Sequence, residues 1–159
     1  MIYIIMGVSG CGKTTIGQLL ASRLKLPFLD ADDYHPVENI RKMAGGVPLT
    51  DTDRMPWLKL LSETLTSYRH DGVVLACSAL KEMYRKTLAD QEGIEACWVF
   101  LHSDFETIYE RLKARKGHFM TPDLLQSQFD TLEPPTYGLH LDIEEDPDKL
   151  VDRILAKCF

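Results

Sequence analysis

Residues Gly7-Val8-Ser9-Gly10-Cys11-Gly12-Lys13-Thr14 fit G-x-x-x-x-G-K-[ST], the phosphate-cradling P-loop pattern. The flanks fit as well. Ile2-Tyr3-Ile4-Ile5-Met6 is a short apolar run that predicts a buried strand, and Ile16, Leu19, Leu20 and Leu24 then recur at helical spacing. Strand, glycine loop and helix is the order that phosphate binding needs. Glycines let backbone N–H groups turn inward without Cβ clashes, and a helix N-terminus favours anions. Lys13 can reach β- and γ-phosphates, and the Thr14 hydroxyl can ligate Mg²⁺. The loop by itself points to a nucleoside triphosphate and no further.

The remainder of the chain alternates in the same manner. Phe28-Leu29-Asp30, Val73 to Cys77, Cys97 to Leu101 and, more weakly, Gly138 to Ile143 read as strands. Helices are expected from Val37 to Met43 and after Pro56, with Trp57, Leu61, Leu65 and Tyr68 on one face. Others run from after Lys81 to about Leu88, through Phe105, Ile108, Tyr109 and Leu112, from about Pro122 to Leu132, and through Leu150, Val151, Ile154 and Leu155. Such alternation implies an α/β fold of the three-layer P-loop NTPase kind, a central parallel sheet with helices on both faces and a helical lid. The 159 residues fit one domain, 1–159, with the lid at about 111–125. Ligands bind beyond the carboxyl ends of the strands in such sheets. Gly7 to Thr14, Asp30 to His35 and Ser78 to Lys81 are therefore expected around one crevice.

A formal net charge of −6 argues against nonspecific nucleic-acid binding, and an anionic substrate must meet locally placed cations. No apolar run approaches a membrane span and no secretory signal opens the chain, so a cytoplasmic protein without a membrane partner is expected. Cys11, Cys77, Cys97 and Cys158 show no C-x-x-C pairing, and reduced, mostly buried thiols are expected in place of disulfides or a metal site. Nothing assigns Cys11 a redox role.

Phosphoryl transfer to an alcohol needs a metal near the phosphates and a carboxylate to take the hydroxyl proton. Asp30, closer to the strand, is the candidate for holding Mg²⁺. Asp32, farther out, is the candidate for substrate contact and general base, with Asp30 next in line. The plainer reading of either is a turn or helix cap. Arg111, Lys113, Arg115 and Lys116 crowd one helix end, where cations suit the dipole. Gly117 follows and offers a hinge, so a closing lid with Arg115 over the transferring phosphate is expected. Arg54 reads either as the cation for a substrate carboxylate or as a surface arginine paired to Asp51. The acidic stretch Asp142 to Asp148 reads as a solvated loop.

Taken together, these residues resemble the gluconate kinases (gluconokinases) of the small P-loop type, related more distantly to shikimate kinase. The similarity runs nearly end to end. Its specific parts are Asp51-Thr52-Asp53-Arg54 with Pro56-Trp57, Cys77-Ser78-Ala79-Leu80-Lys81, and Lys116-Gly117-His118-Phe119, together with Asp30-Ala31-Asp32, His35-Pro36 and Gln128-Phe129. The resemblance implies ATP and Mg²⁺ as cofactors, D-gluconate as substrate, 6-phosphogluconate as product, and a homodimer. It implies nucleotide contacts from Gly7 through Thr15 with Arg111 and Arg115, catalysis by Lys13, Asp32 and Arg115, and metal contacts at Thr14 and Asp30. It implies a substrate pocket at Asp32, His35, Arg54, Ser78, Lys81, His118 and Gln128. Cys11 departs from the serine common in relatives, at a position that contributes mainly its backbone.

Two other classes share the P-loop. A nucleotide-dependent switch would need guanine-recognition motifs; Asp90-Gln91-Glu92-Gly93 fits D-x-x-G, but it lies in a polar loop and no N-K-x-D occurs. The stronger alternative is a P-loop kinase for another small polyol, sugar acid or shikimate-like substrate, because spacing does not reveal a substrate.

Overall fold

The computed structural model describes residues 1–115 and 121–158. Five strands, β1 (Ile2–Met6), β2 (Phe28–Asp30), β3 (Val73–Ala76), β4 (Ala96–His102) and β5 (Leu139–Asp142), form one sheet in the order β2-β3-β1-β4-β5. All its pairings are parallel, with Ile4 opposite Leu75 on one side and Trp98 on the other. Every residue of β1 and β3 is buried, as continuous apolar runs in a parallel sheet require.

The helices are α1 (Lys13–Leu24), α2 (Val37–Ala44), α3 (Asp51–Ser67), α4 (Glu82–Ala89), α5 (Phe105–Ala114), α6 (Pro122–Thr131) and α7 (Pro147–Lys157). They complete a three-layer α/β arrangement: α1 lies against β3 and packs with α7, α3 packs with α4, and α5 with α6. Arg23 on α1 reinforces one of these seams by pairing with Asp148, at 2.7 Å, and with Asp152 of α7. Leu112, Leu124 and Leu125 are buried, so both helical flanks of the expected lid are packed onto the body. Gly117 and His118, on which the hinge and part of the substrate pocket were expected, lie outside the described residues. Among the described residues no helix is long and apolar enough to cross a membrane.

Two local readings are corrected. Helix α3 begins before Pro56, at Asp51, because Thr50 and Asp53 form a reciprocal capping box: the Thr50 hydroxyl accepts the Asp53 N–H at 3.1 Å, and the Asp53 carboxylate accepts the Thr50 N–H at 2.9 Å. Cys97 and Cys158 form a disulfide, against the expectation of reduced thiols throughout. Helix α7 returns its C-terminus beside the start of β4 and brings the two Cα atoms to 6.5 Å, within bridging reach.

Candidate active site

The P-loop links β1 to α1, and its glycines are required by what surrounds them. At Gly7 (φ +147°) a Cβ would lie 2.5 Å from the Leu101 carbonyl oxygen. At Gly10 it would lie 2.7 Å from Leu112 Cγ, so the missing side chain lets α5 pack over the loop. Lys13 Nζ donates to the Val8 carbonyl at 3.0 Å. Thr14 Oγ1 donates to Asp30 Oδ2 at 3.3 Å, while Asp30 Oδ1 accepts the Asp32 N–H at 3.0 Å. Asp30 therefore caps the 3₁₀ turn Ala31–Tyr34 and also faces the P-loop threonine. Cys11 is buried, and burial raises its thiol pKa although Lys13 opposes the shift; Cys77 is pushed up to about 12 in the same way. Both thiols are held protonated, the unreactive form.

A crevice of about 270 Å³ opens beside the loop, a volume suited to a small molecule. Its wall brings together Ser9, Lys13, Asp32, His35, Arg54, Ser78 and Gln128. These come from five separate stretches of chain, and Lys13, Asp32, His35, Arg54, Ser78 and Gln128 are residues the sequence singled out. Lys81 does not line it: its ammonium is held by Asp51 at 3.0 Å. The pairing of Arg54 with Asp51 does not form either. Asp51 is taken by the Tyr84 hydroxyl and Lys81, which together hold its carboxyl below the usual range. Arg54 Nη1 instead donates to the Leu49 carbonyl at 2.6 Å and to the Tyr84 hydroxyl at 3.1 Å.

His35 has a defined tautomer. Asn39 Nδ2 lies 2.9 Å from the Asp53 carbonyl oxygen, which only a donor can satisfy, so the second N–H of that amide faces His35 Nδ1 at 3.2 Å. In a neutral ring the proton then sits on Nε2. The ring is neutral because burial, helped by the nearby Arg54 charge, lowers its pKa to about 4. Trp57 stacks on the ring, and its Nε1 donates to the Ala31 carbonyl at 2.7 Å, pinning the backbone between Asp30 and Asp32.

A second hollow, of about 500 Å³, lies on the other side of the loop. Gly10, Cys11, Gly12, Thr15, Arg111 and Arg115 face it, and so do Ile143 to Pro147. The acidic stretch is thus more than a solvated loop: it forms one wall, tied down by Arg111 Nη2 donating to the Ile143 carbonyl at 2.9 Å. At the crevice side, the Ser9 N–H donates to Gln128 Oε1 at 2.7 Å and Gln128 Nε2 to Ser9 Oγ at 3.2 Å.

The shikimate kinase family model matches residues 9–155. A probable gluconokinase of Xenopus tropicalis is 46% identical over 97% of this chain and 91% of its own length. The chain belongs to the gluconokinase family. The thermosensitive gluconokinase of Escherichia coli K12 is 44% identical over 84% of this chain and 72% of its own length. The crystal structure of a gluconokinase from Sinorhizobium meliloti 1021 superposes with a TM-score of 0.88 at 42% identity, covering 97% of this chain and 89% of that one. As a gluconokinase-family member the protein is a kinase, a nucleotide-using phosphotransferase that acts on an alcohol group of a small molecule.

Some residues of this gluconokinase-family site escaped the sequence reading. Asn39, polar yet 3% exposed and four residues beyond His35, was given no role by the sequence. Trp57 was read as an apolar face and as part of the Pro56-Trp57 motif, without its hold on the Ala31 carbonyl. Leu124 and Ser127, which also line the crevice, precede Gln128 on α6, whose seating on the P-loop no local pattern announces.

Proposed function

We propose that the protein transfers the γ-phosphoryl group of ATP to the 6-hydroxyl of D-gluconate, with gluconate in the crevice and the nucleotide along the second hollow. The observation that carries this reading is the convergence of Lys13, Asp32, His35 and Arg54 on one crevice beside the P-loop, in a chain of the gluconokinase family. When bound, ATP would supply the phosphoryl group and Mg²⁺ would offset the phosphate charge.

The chain's own residues do the rest. Thr14 and Asp30 offer neighbouring hard oxygen ligands, the donor type Mg²⁺ prefers. Lys13 exchanges the Val8 carbonyl for phosphate oxygens. Asp32 accepts the proton of the reacting hydroxyl. The guanidinium of Arg54 grips the substrate carboxylate, and the Nε2–H of neutral His35 donates to a substrate hydroxyl. Ser78, Gln128 and His118 complete the acceptor contacts. Arg111 and the P-loop through Thr15 hold the nucleotide, while Arg115 reaches the transferring phosphate when a lid at about 111–125 closes and excludes water.

A coupled ADP-release assay over sugar acids, polyols, shikimate and nucleosides tests the reading. Gluconate is expected to give the highest kcat/KM by a wide margin. Turnover of another acceptor with none of gluconate refutes it.

A further inference from the structure

Arg85 on α4 is 2% exposed and lines neither the crevice nor the nucleotide-side hollow. Its guanidinium is spent largely on main-chain carbonyls. Nη1 donates to Ala79 O at 2.8 Å and Leu80 O at 3.3 Å, and Nη2 donates to Glu133 O at 2.7 Å. Nε faces Glu82 Oε2 and the Tyr137 hydroxyl, each at 3.0 Å, and that hydroxyl donates to the same carboxylate at 2.8 Å. Burying a guanidinium is costly unless its geometry is filled, and here it is filled by one short loop and the chain that follows α6.

The loop needs holding. Ala79 has φ +45°, a left-handed conformation that L side chains disfavour, and it is fully buried. On either side of it, Ser78 and Leu80 line the crevice. The Ser78 carbonyl accepts the Gly7 N–H at 3.3 Å, and the Leu80 carbonyl accepts the Glu133 N–H at 2.8 Å. The turn at Ala79 thus joins the first residue of the P-loop to the end of the helix that carries Gln128, and Arg85 is the side chain that grips it.

We propose that Arg85 is a positioning residue for phosphoryl transfer: it fixes the left-handed turn at Ala79 that presents Ser78 to the acceptor, and ties that turn to α6. The proposal rests on gluconate occupying the crevice. A role confined to stability would change melting temperature alone, whereas a positioning role separates the two substrates.

The test is steady-state kinetics with gluconate and ATP varied separately, alongside thermal melting, for the wild type, Arg85→Gln, Arg85→Lys and Arg85→Gln combined with Ala79→Gly. In Arg85→Gln the gluconate KM is expected to rise roughly tenfold, with ATP KM changed less than about twofold. Arg85→Lys recovers only part, because a point charge cannot span the carbonyls that a planar fork reaches. Glycine at 79 tolerates the left-handed turn unaided, so the double variant regains part of the lost gluconate affinity. An unchanged gluconate KM in Arg85→Gln, at whatever melting temperature, overturns the proposal. Should Arg85→Gln not fold, Tyr137→Phe removes one partner of the guanidinium at a partly exposed residue. It is expected to raise gluconate KM about two- to fivefold, and no change overturns the proposal. A wild type that does not phosphorylate gluconate overturns the substrate reading itself, and is recognised before any variant is compared.

Discussion

The rings of His35 and Trp57 stack 4.1 Å apart with their planes 15° from parallel. The stack buries the imidazole beside Arg54, which is why its pKa falls to about 4. An unfolded chain binds the His35 proton at a pKa near 6.5 and the folded chain does not, so between these values the unfolded state holds more protons. Stability should therefore rise with pH across this window and be lost as pH falls from about 6.5 to about 4. His35→Phe keeps a stacking ring without a titrating group. Its chemical-denaturation midpoint should decline less over that interval than the wild type's. Parallel declines would assign the acid sensitivity to other groups.

Lys13→Ala removes the ammonium that rests on the Val8 carbonyl. The loop geometry depends on its glycines and on neighbouring backbone, so the far-UV spectrum and melting temperature should stay close to wild type. Turnover should fall by roughly 10²-fold or more, the scale for deleting a preorganised charge at a transferring group. Near-wild-type turnover in the folded variant would exclude Lys13 from phosphate contact.

Asp32→Asn preserves size and can still hydrogen-bond a hydroxyl, but it cannot take a proton. A general base contributes roughly 10²–10⁴-fold, so kcat should drop by that order while ATP KM changes little. Full kcat in this variant would move the base to Asp30, whose carboxylate instead faces Thr14.

Arg54 commits Nη1 to Leu49 and Tyr84 and lines the crevice. Arg54→Ala should lower kcat/KM for gluconate roughly ten- to a hundredfold, the loss of one charge-assisted hydrogen bond, and leave ATP affinity nearly unchanged. Arg54→Lys should recover only part. Weakened ATP binding with an unaltered gluconate KM would place Arg54 on the nucleotide side and reverse the orientation proposed for the substrate.

The sequence by itself determined the features that short-range physics controls. Glycine spacing, an apolar strand and a helical period within the first two dozen residues define the P-loop unit. Continuous apolar runs such as Val73 to Ala76 declare strands buried on both faces. Alternation then places Asp30, Asp32 and Ser78 at the carboxyl edge, because parallel strands joined by helices all end on the same side. Local competition was harder to read: the Thr50–Asp53 box starts α3 at Asp51 in spite of Pro56.

What only the tertiary structure decided is where long side chains go. Gln128 meets Ser9 across 119 residues, Arg111 reaches Ile143 across 32, and Cys97 meets Cys158 across 61. Lys81 and Arg54 both belong to motifs beside the crevice, yet Asp51 takes one and Tyr84 helps orient the other. Periodicity fixes the face on which a residue lies, but the partner it finds depends on how helices pack around the sheet. A buried cation such as Arg85 is committed only once that packing has brought the Ala79, Leu80 and Glu133 carbonyls together around it.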